Sequence, residues 1–210
     1  MRVVVGSEGS RDVSQAELDR HLEAMSIFIE RLAGEGRAPV CCTMILRSPA
    51  STPARALATM KDALAAAGVR ARAIFARLEP QDDLKQIFAT LSALAPEAPA
   101  SALIRWARDA RLLEAHEQAT YGTHMCWSGD AMRRDADKRN PLVLFDMDAS
   151  DAARLSELAF KALWAASEPV PERLLVAGGL SKPSGAYGRP SGTPVAVLRP
   201  HRQGWPLLRH

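Results

Sequence analysis

Two kinds of connection succeed one another along this chain, and their order restricts the fold more than any other feature. Between residues 40 and 107 short apolar segments alternate with helical ones, whereas from residue 111 strand-like segments follow each other directly. Strands joined through a helix favour parallel pairing, and strands joined by a tight turn must run antiparallel. The order therefore predicts an α/β fold, a mixed sheet with an antiparallel hairpin, covered by helices.

Ser14 and Glu17 have the spacing of a capping box, and Leu18, Leu22, Met25, Phe28, Ile29 and Leu32 then recur at helical spacing. Gly34 and Gly36 end that helix. Residues 40–46, VCCTMIL, suit a buried strand, and Thr52 with Pro53 opens a second helix that stops at Gly68. VRARAIFA at 69–76 alternates with the period of a half-exposed strand. A third helix starts at Asp82 and Asp83 and ends at Pro96. LIRWA at 103–107, RLLEAHE, ATYGTHMCW and LVLFD at 142–146 read as strands, the middle two as a hairpin turning near Ala119 and Thr120. Ser150 caps a closing helix that Pro169 ends, and Val3–Val5 allows a short first strand.

At 210 residues the chain has the length of one domain, and the reading places it at 1–180. Residues 181–210 form a tail rich in Pro, Gly and Ser, with five basic side chains and no acid. Such a composition buries little apolar surface, so a flexible or docked arm is expected, and a further alternative for the chain's function is binding of nucleic acid or an acidic partner through this tail. Three cysteines without C-x-x-C spacing indicate a reduced chain without structural disulfides. No apolar run is long enough for a membrane span, and the three-residue run before Gly6 is too short for a signal-peptide core. The expected location is cytoplasmic.

Chemistry concentrates between Arg111 and Arg139. Alternation along ATYGTHMCWSGD sets Tyr121, Thr123, Met125 and Trp127 on one strand face and His124, Cys126 and Ser128 on the other. His116 on the preceding strand reaches His124 only if the hairpin register joins them. These histidines are the candidate catalytic residues. A zinc site from His116, Glu117, His124 and Cys126 has suitable donors but no known zinc spacing. A Cys126–His124 nucleophilic pair lacks a third, orienting group. No cofactor and no metal are expected.

The loop that follows reads differently. Ser128-Gly129-Asp130 is turn chemistry that exposes backbone amides, and Arg133, Arg134, Lys138 and Arg139 come directly after it. Arginine forks match phosphate oxygens, so these seven residues are the candidate ligand site for an anionic, phosphate-bearing molecule. The bland alternative is a solvated loop whose Asp130, Asp135 and Asp137 neutralise its cations.

ARALATMKDALAAAGVRARAIFA, an Ala-rich helix running through Gly-Val into an alternating strand, resembles the helix–strand unit of the phospholipase D-like superfamily. The later order of hairpin, S-G-D, polar loop, strand and a helix ending AFKALW is similar to the second part of one such repeat. The resemblance spans residues 40–166 and implies a phospholipase D-like half-domain, phosphodiester chemistry through a phosphohistidine, and a homodimer. The superfamily uses a His-x-Lys pair, whereas His116 is followed by Glu117 and Gln118, and His124 by Met125 and Cys126. Only Ser128 and Gly129 carry over, as small residues lining a phosphate pocket. Without that lysine a cation for the transition state is missing. The reading is a non-catalytic or weakly active anion-binding domain, with a hydrolase using His116 or His124 as the alternative.

Overall fold

The computed structural model describes residues 8–34, 40–134 and 144–176. Val3–Val5, Lys138, Arg139 and the tail at 181–210 lie outside the described residues. Helix α1 (Glu8–Gly34) comes first, then β1 (Cys41–Leu46), α2 (Thr52–Thr59), α3 (Lys61–Ala66), β2 (Arg70–Phe75), α4 (Gln81–Leu94) and β3 (Ile104–Trp106). A 3-10 turn at Ala110–Glu114 leads into β4 (His116–Tyr121) and β5 (Met125–Ala131). β6 (Leu144–Asp146), α5 (Ser150–Ala166), β7 (Glu168–Pro169) and α6 (Glu172–Leu175) complete the fold. Among the described residues no helix is long and apolar enough to cross a membrane.

The protein is α/β, with a seven-stranded mixed sheet in the order β6-β5-β4-β1-β2-β3-β7. β1, β2 and β3 are parallel, as their helical connections require, and β4, β5 and β6 add antiparallel to the β1 side. β7 closes the far edge against β3.

The two sheet faces differ. Cys42, Met44, Leu46, Ala71, Ala73, Phe75, Ala119, Tyr121, Met125 and Trp127 point to one side, where they join Met25, Phe28, Leu57, Leu64, Leu84 and Leu91 of the helices in one continuous core. We call this the closed face. The opposite face buries a much smaller cluster of Ile45, Ile74, Ala107, Met132 and Phe160, with α5 as its cover. Register sets a polar row across it: Arg72, Thr43, Thr120, Cys126 and Asp146 are successive partners on β2, β1, β4, β5 and β6.

Local departures from the sequence reading have local causes. α1 begins at Glu8, so Ser14 lies inside it, and Glu17 accepts a hydrogen bond from the Thr52 hydroxyl at 3.2 Å. The second helix breaks at Met60, whose ψ of 8° leaves the helical range, into α2 and α3. RLLEAHE is not one strand, because Asp109 accepts the Arg111 N–H at 2.9 Å and winds residues 110–114 into a 3-10 turn. The hairpin turns at residues 122–124, not at Ala119 and Thr120. Gly122 has φ +65° there, and a Cβ on it would stand 2.9 Å from Phe28. A left-handed residue packed against an aromatic ring leaves glycine as the residue that fits.

Candidate functional site: the His116 end of the hairpin

Register decides what the hairpin brings together. His116 pairs with Ala131 and Tyr121 with Met125, so His116 lies at the open end of the hairpin and His124 in its turn, at the other end. The two histidines are not neighbours, which settles what the sequence left to register. His124, Cys126 and Ser128 do not share a strand face either, since His124 belongs to the turn and β5 starts at Met125. Among the described residues no three His, Cys, Asp or Glu side chains gather as a metal site. Cys126 is buried; desolvation, with Asp146 adding to it, raises its thiol pKa, and a hydrogen bond with Ser156 partly opposes the shift. A thiol held protonated is a poor nucleophile.

Ser128-Gly129-Asp130 is no turn: all three residues lie within β5. Gln118 pairs with Ser128 and His116 with Ala131, so Gly129 and Asp130 together face the single residue Glu117. This is a β-bulge, a device that re-aims side chains at sheet margins and near sites. Glycine is required because a Cβ at 129 would stand 2.6 Å from the Trp127 ring. Asp130 turns its carboxylate on its own surroundings, accepting from the Ala131 N–H at 2.7 Å and pairing with Arg134 at 3.0 Å. An anion nest built from these amides is therefore replaced by a carboxylate-bearing bulge.

Opposite the bulge sits a buried carboxylate with several partners. Glu117 is 1% exposed and accepts from the Arg47 backbone N–H and the Ser51 hydroxyl, each at 2.9 Å. The Arg47 guanidinium lies 3.2 Å from its second oxygen and also donates to the carbonyls of Met132 at 3.3 Å and Ala131 at 3.2 Å. The pair thus fastens the β1–α2 loop to the bulged end of β5. Nothing in the sequence signals it, because Arg47 and Glu117 are 70 positions apart.

The bulge also fixes His116. Its Nδ1 is 2.9 Å from the Gly129 carbonyl oxygen. A carbonyl only accepts, so Nδ1 carries the proton and Nε2 of the neutral ring keeps its lone pair. The residue is exposed. It lines a cavity of about 270 Å³ with Ile45, Leu112, Ala115, Gln118, Ala159, Ala162 and Leu163, between the 3-10 turn, the sheet and α5. Gln118 is buried and donates its amide to the Ser156 carbonyl at 2.8 Å, which anchors α5 over the sheet.

Three arginines stand at the same end. Met132 and Arg133 donate their backbone N–H groups to Ala115 and Leu113, which holds the start of the basic loop against the 3-10 turn. Arg133 pairs with Glu114 at 2.9 Å, Arg134 with Asp130, and Arg111 with Asp109. Hydrogen bonds from Arg111 hold the Asp109 carboxyl down at about 2. Of the local neutralisation that the sequence allowed for this loop, the Arg134–Asp130 pair is present, Arg133 pairs instead with Glu114 of the 3-10 turn, and Asp135 and Asp137 lie outside the described residues. All three arginine side chains remain about half exposed or more.

No family model, curated protein or solved structure matches this chain. Fold and site define an α/β protein with a closed core on one sheet face. On the other face lies an accessible, tautomer-fixed imidazole beside an apolar cavity.

Proposed function

We propose that this chain is a non-catalytic or weakly active ligand-binding domain that takes a small anionic, phosphate-bearing molecule at the His116 end of its hairpin. The observation that carries the reading is that the 3-10 turn bearing Arg111 and the loop start bearing Arg133 and Arg134 are hydrogen-bonded to each other at the hairpin end where His116 lines the cavity. Their ion pairs do not exclude a ligand. Exposed pairs contribute about 0–1 kcal/mol, so a phosphate that offers bidentate acceptors can replace a carboxylate partner at little cost. Calorimetric titration with phenyl phosphate tests this. Arg133→Ala/Arg134→Ala together are expected to weaken binding about tenfold or more. Unchanged affinity removes the loop from the site.

One observation favours a second reading, phosphodiester hydrolysis of the phospholipase D-like kind. The Nδ1–H···O bond to Gly129 leaves Nε2 free to act as nucleophile or base. Gln118 occupies the lysine position of the superfamily pattern and is committed to Ser156. Purified protein is therefore expected to release no nitrophenol from bis(4-nitrophenyl) phosphate above background. Turnover that His116→Ala abolishes and His124→Ala preserves replaces the binding reading with the hydrolytic one.

A further inference from the structure

The cavity beside His116 is too apolar and too large to serve a bare anion. Ile45, Leu112, Ala115, Ala159, Ala162 and Leu163 supply most of its wall, and its polar lining residues are His116 and Gln118. Its volume of about 270 Å³ exceeds the roughly 150 Å³ apolar cavity that holds a benzene ring. Sites of this make-up bind the uncharged body of a ligand in the apolar part and orient it by the few polar groups at the rim.

From this we infer that the cavity receives an aryl or short branched alkyl group, so that the ligand is an organic monoester or similar amphiphilic anion rather than inorganic phosphate. The inference rests on the anion-binding reading for the charged half of the ligand and on the cavity alone for the uncharged half. The cavity walls come from three separate elements. Ile45 and Gln118 belong to the sheet, Leu112 and Ala115 to the 3-10 turn and its end, and Ala159, Ala162 and Leu163 to α5. Small residues on α5 create the space. Both alanines are exposed helical positions, where a larger helix-forming side chain is tolerated.

The test compares phenyl phosphate, inorganic phosphate and phenol as probes, read by calorimetry and by the methyl resonances of Ile45, Leu112 and Leu163. Phenyl phosphate is expected to bind at least about tenfold tighter than inorganic phosphate, a ratio worth about 1.4 kcal/mol. It is expected to shift those methyls and to lose the advantage in Ala162→Leu, with Ala159→Leu as an independent filling variant. Inorganic phosphate should bind both variants as it binds the parent chain. Equal affinity for the two phosphates without methyl shifts overturns the inference and leaves the anion reading standing. Phenol binding as tightly as phenyl phosphate and shifting the same methyls supports the cavity assignment and overturns the anion reading. Absence of binding by all three probes overturns both.

Discussion

The closed face and the α5 face of the sheet are built from the same strands, yet they divide labour. On the closed face Glu117 and His21 are held by specific neighbours. Glu117 is shared between Arg47 and Ser51, and His21 sits between the rings of Trp127 and Phe145 with Tyr121 Oη 2.9 Å from its Nδ1. On the α5 face the row of Arg72, Thr43, Thr120, Cys126 and Asp146 interrupts the apolar surface, and among the described residues α5 is the helix that covers its small cluster. Leu155 and Leu158 of that helix are 60% and 51% exposed. The contrast assigns stability to one face and accessible chemistry to the other. A bulge at the hairpin end joins them, because Glu117 looks into the closed core while its neighbour His116 lines the cavity.

The sharpest way to break this division is to unpair the buried ions. Glu117→Ala leaves Arg47 with its carboxylate partner removed, and a loss of about 3–5 kcal/mol is expected in chemical denaturation. Arg47→Met with Glu117→Leu, which removes both charges, should recover most of it. A loss below about 1 kcal/mol in Glu117→Ala would show that the pair is not what fastens the bulge. Next in size is Gly129→Ala, whose Cβ meets the Trp127 ring and is expected to cost about 1–3 kcal/mol.

His21 sharpens the comparison through pH. Burial lowers its pKa from 6.5 to about 3, so the folded protein holds it neutral where the unfolded chain binds a proton. Its contribution is complete above about pH 6.5 and is lost as pH falls toward 3. Wild type should therefore lose stability relative to His21→Phe by about 1.4 kcal/mol per pH unit within that window. Parallel pH profiles for the two proteins would contradict a neutral buried histidine. The smallest effect belongs to the α5 face: Leu158→Lys should change stability by less than about 0.5 kcal/mol, and a cooperative loss there would mean the helix is covered in solution.

The parallel half of the fold is legible in the sequence because its signals are periodic. VCCTMIL and VRARAIFA become β1 and β2 with one residue trimmed at an end or two. The hairpin turn is misplaced because alternation reads straight through Gly122, whose positive φ has no sequence signature beyond the glycine itself. The 3-10 turn at Ala110–Glu114 and the two-residue β7 are too short for any period to show. S-G-D marks unusual backbone correctly, yet the same small and polar residues suit a turn and a bulge. His116 was visible as chemistry, while its orientation depends on the Gly129 carbonyl across the hairpin, a contact that only register creates.

The site depends on one protonation pattern: His116 held by Gly129 through Nδ1, with Nε2 open beside the cavity. Long-range proton–nitrogen NMR of the ring at alkaline pH measures it directly. The prediction is a neutral tautomer protonated at Nδ1, with an Nε2 shift that moves when phenyl phosphate is added. A ring protonated at Nε2 and insensitive to the ligand would contradict both the geometry of the hairpin end and the site built on it.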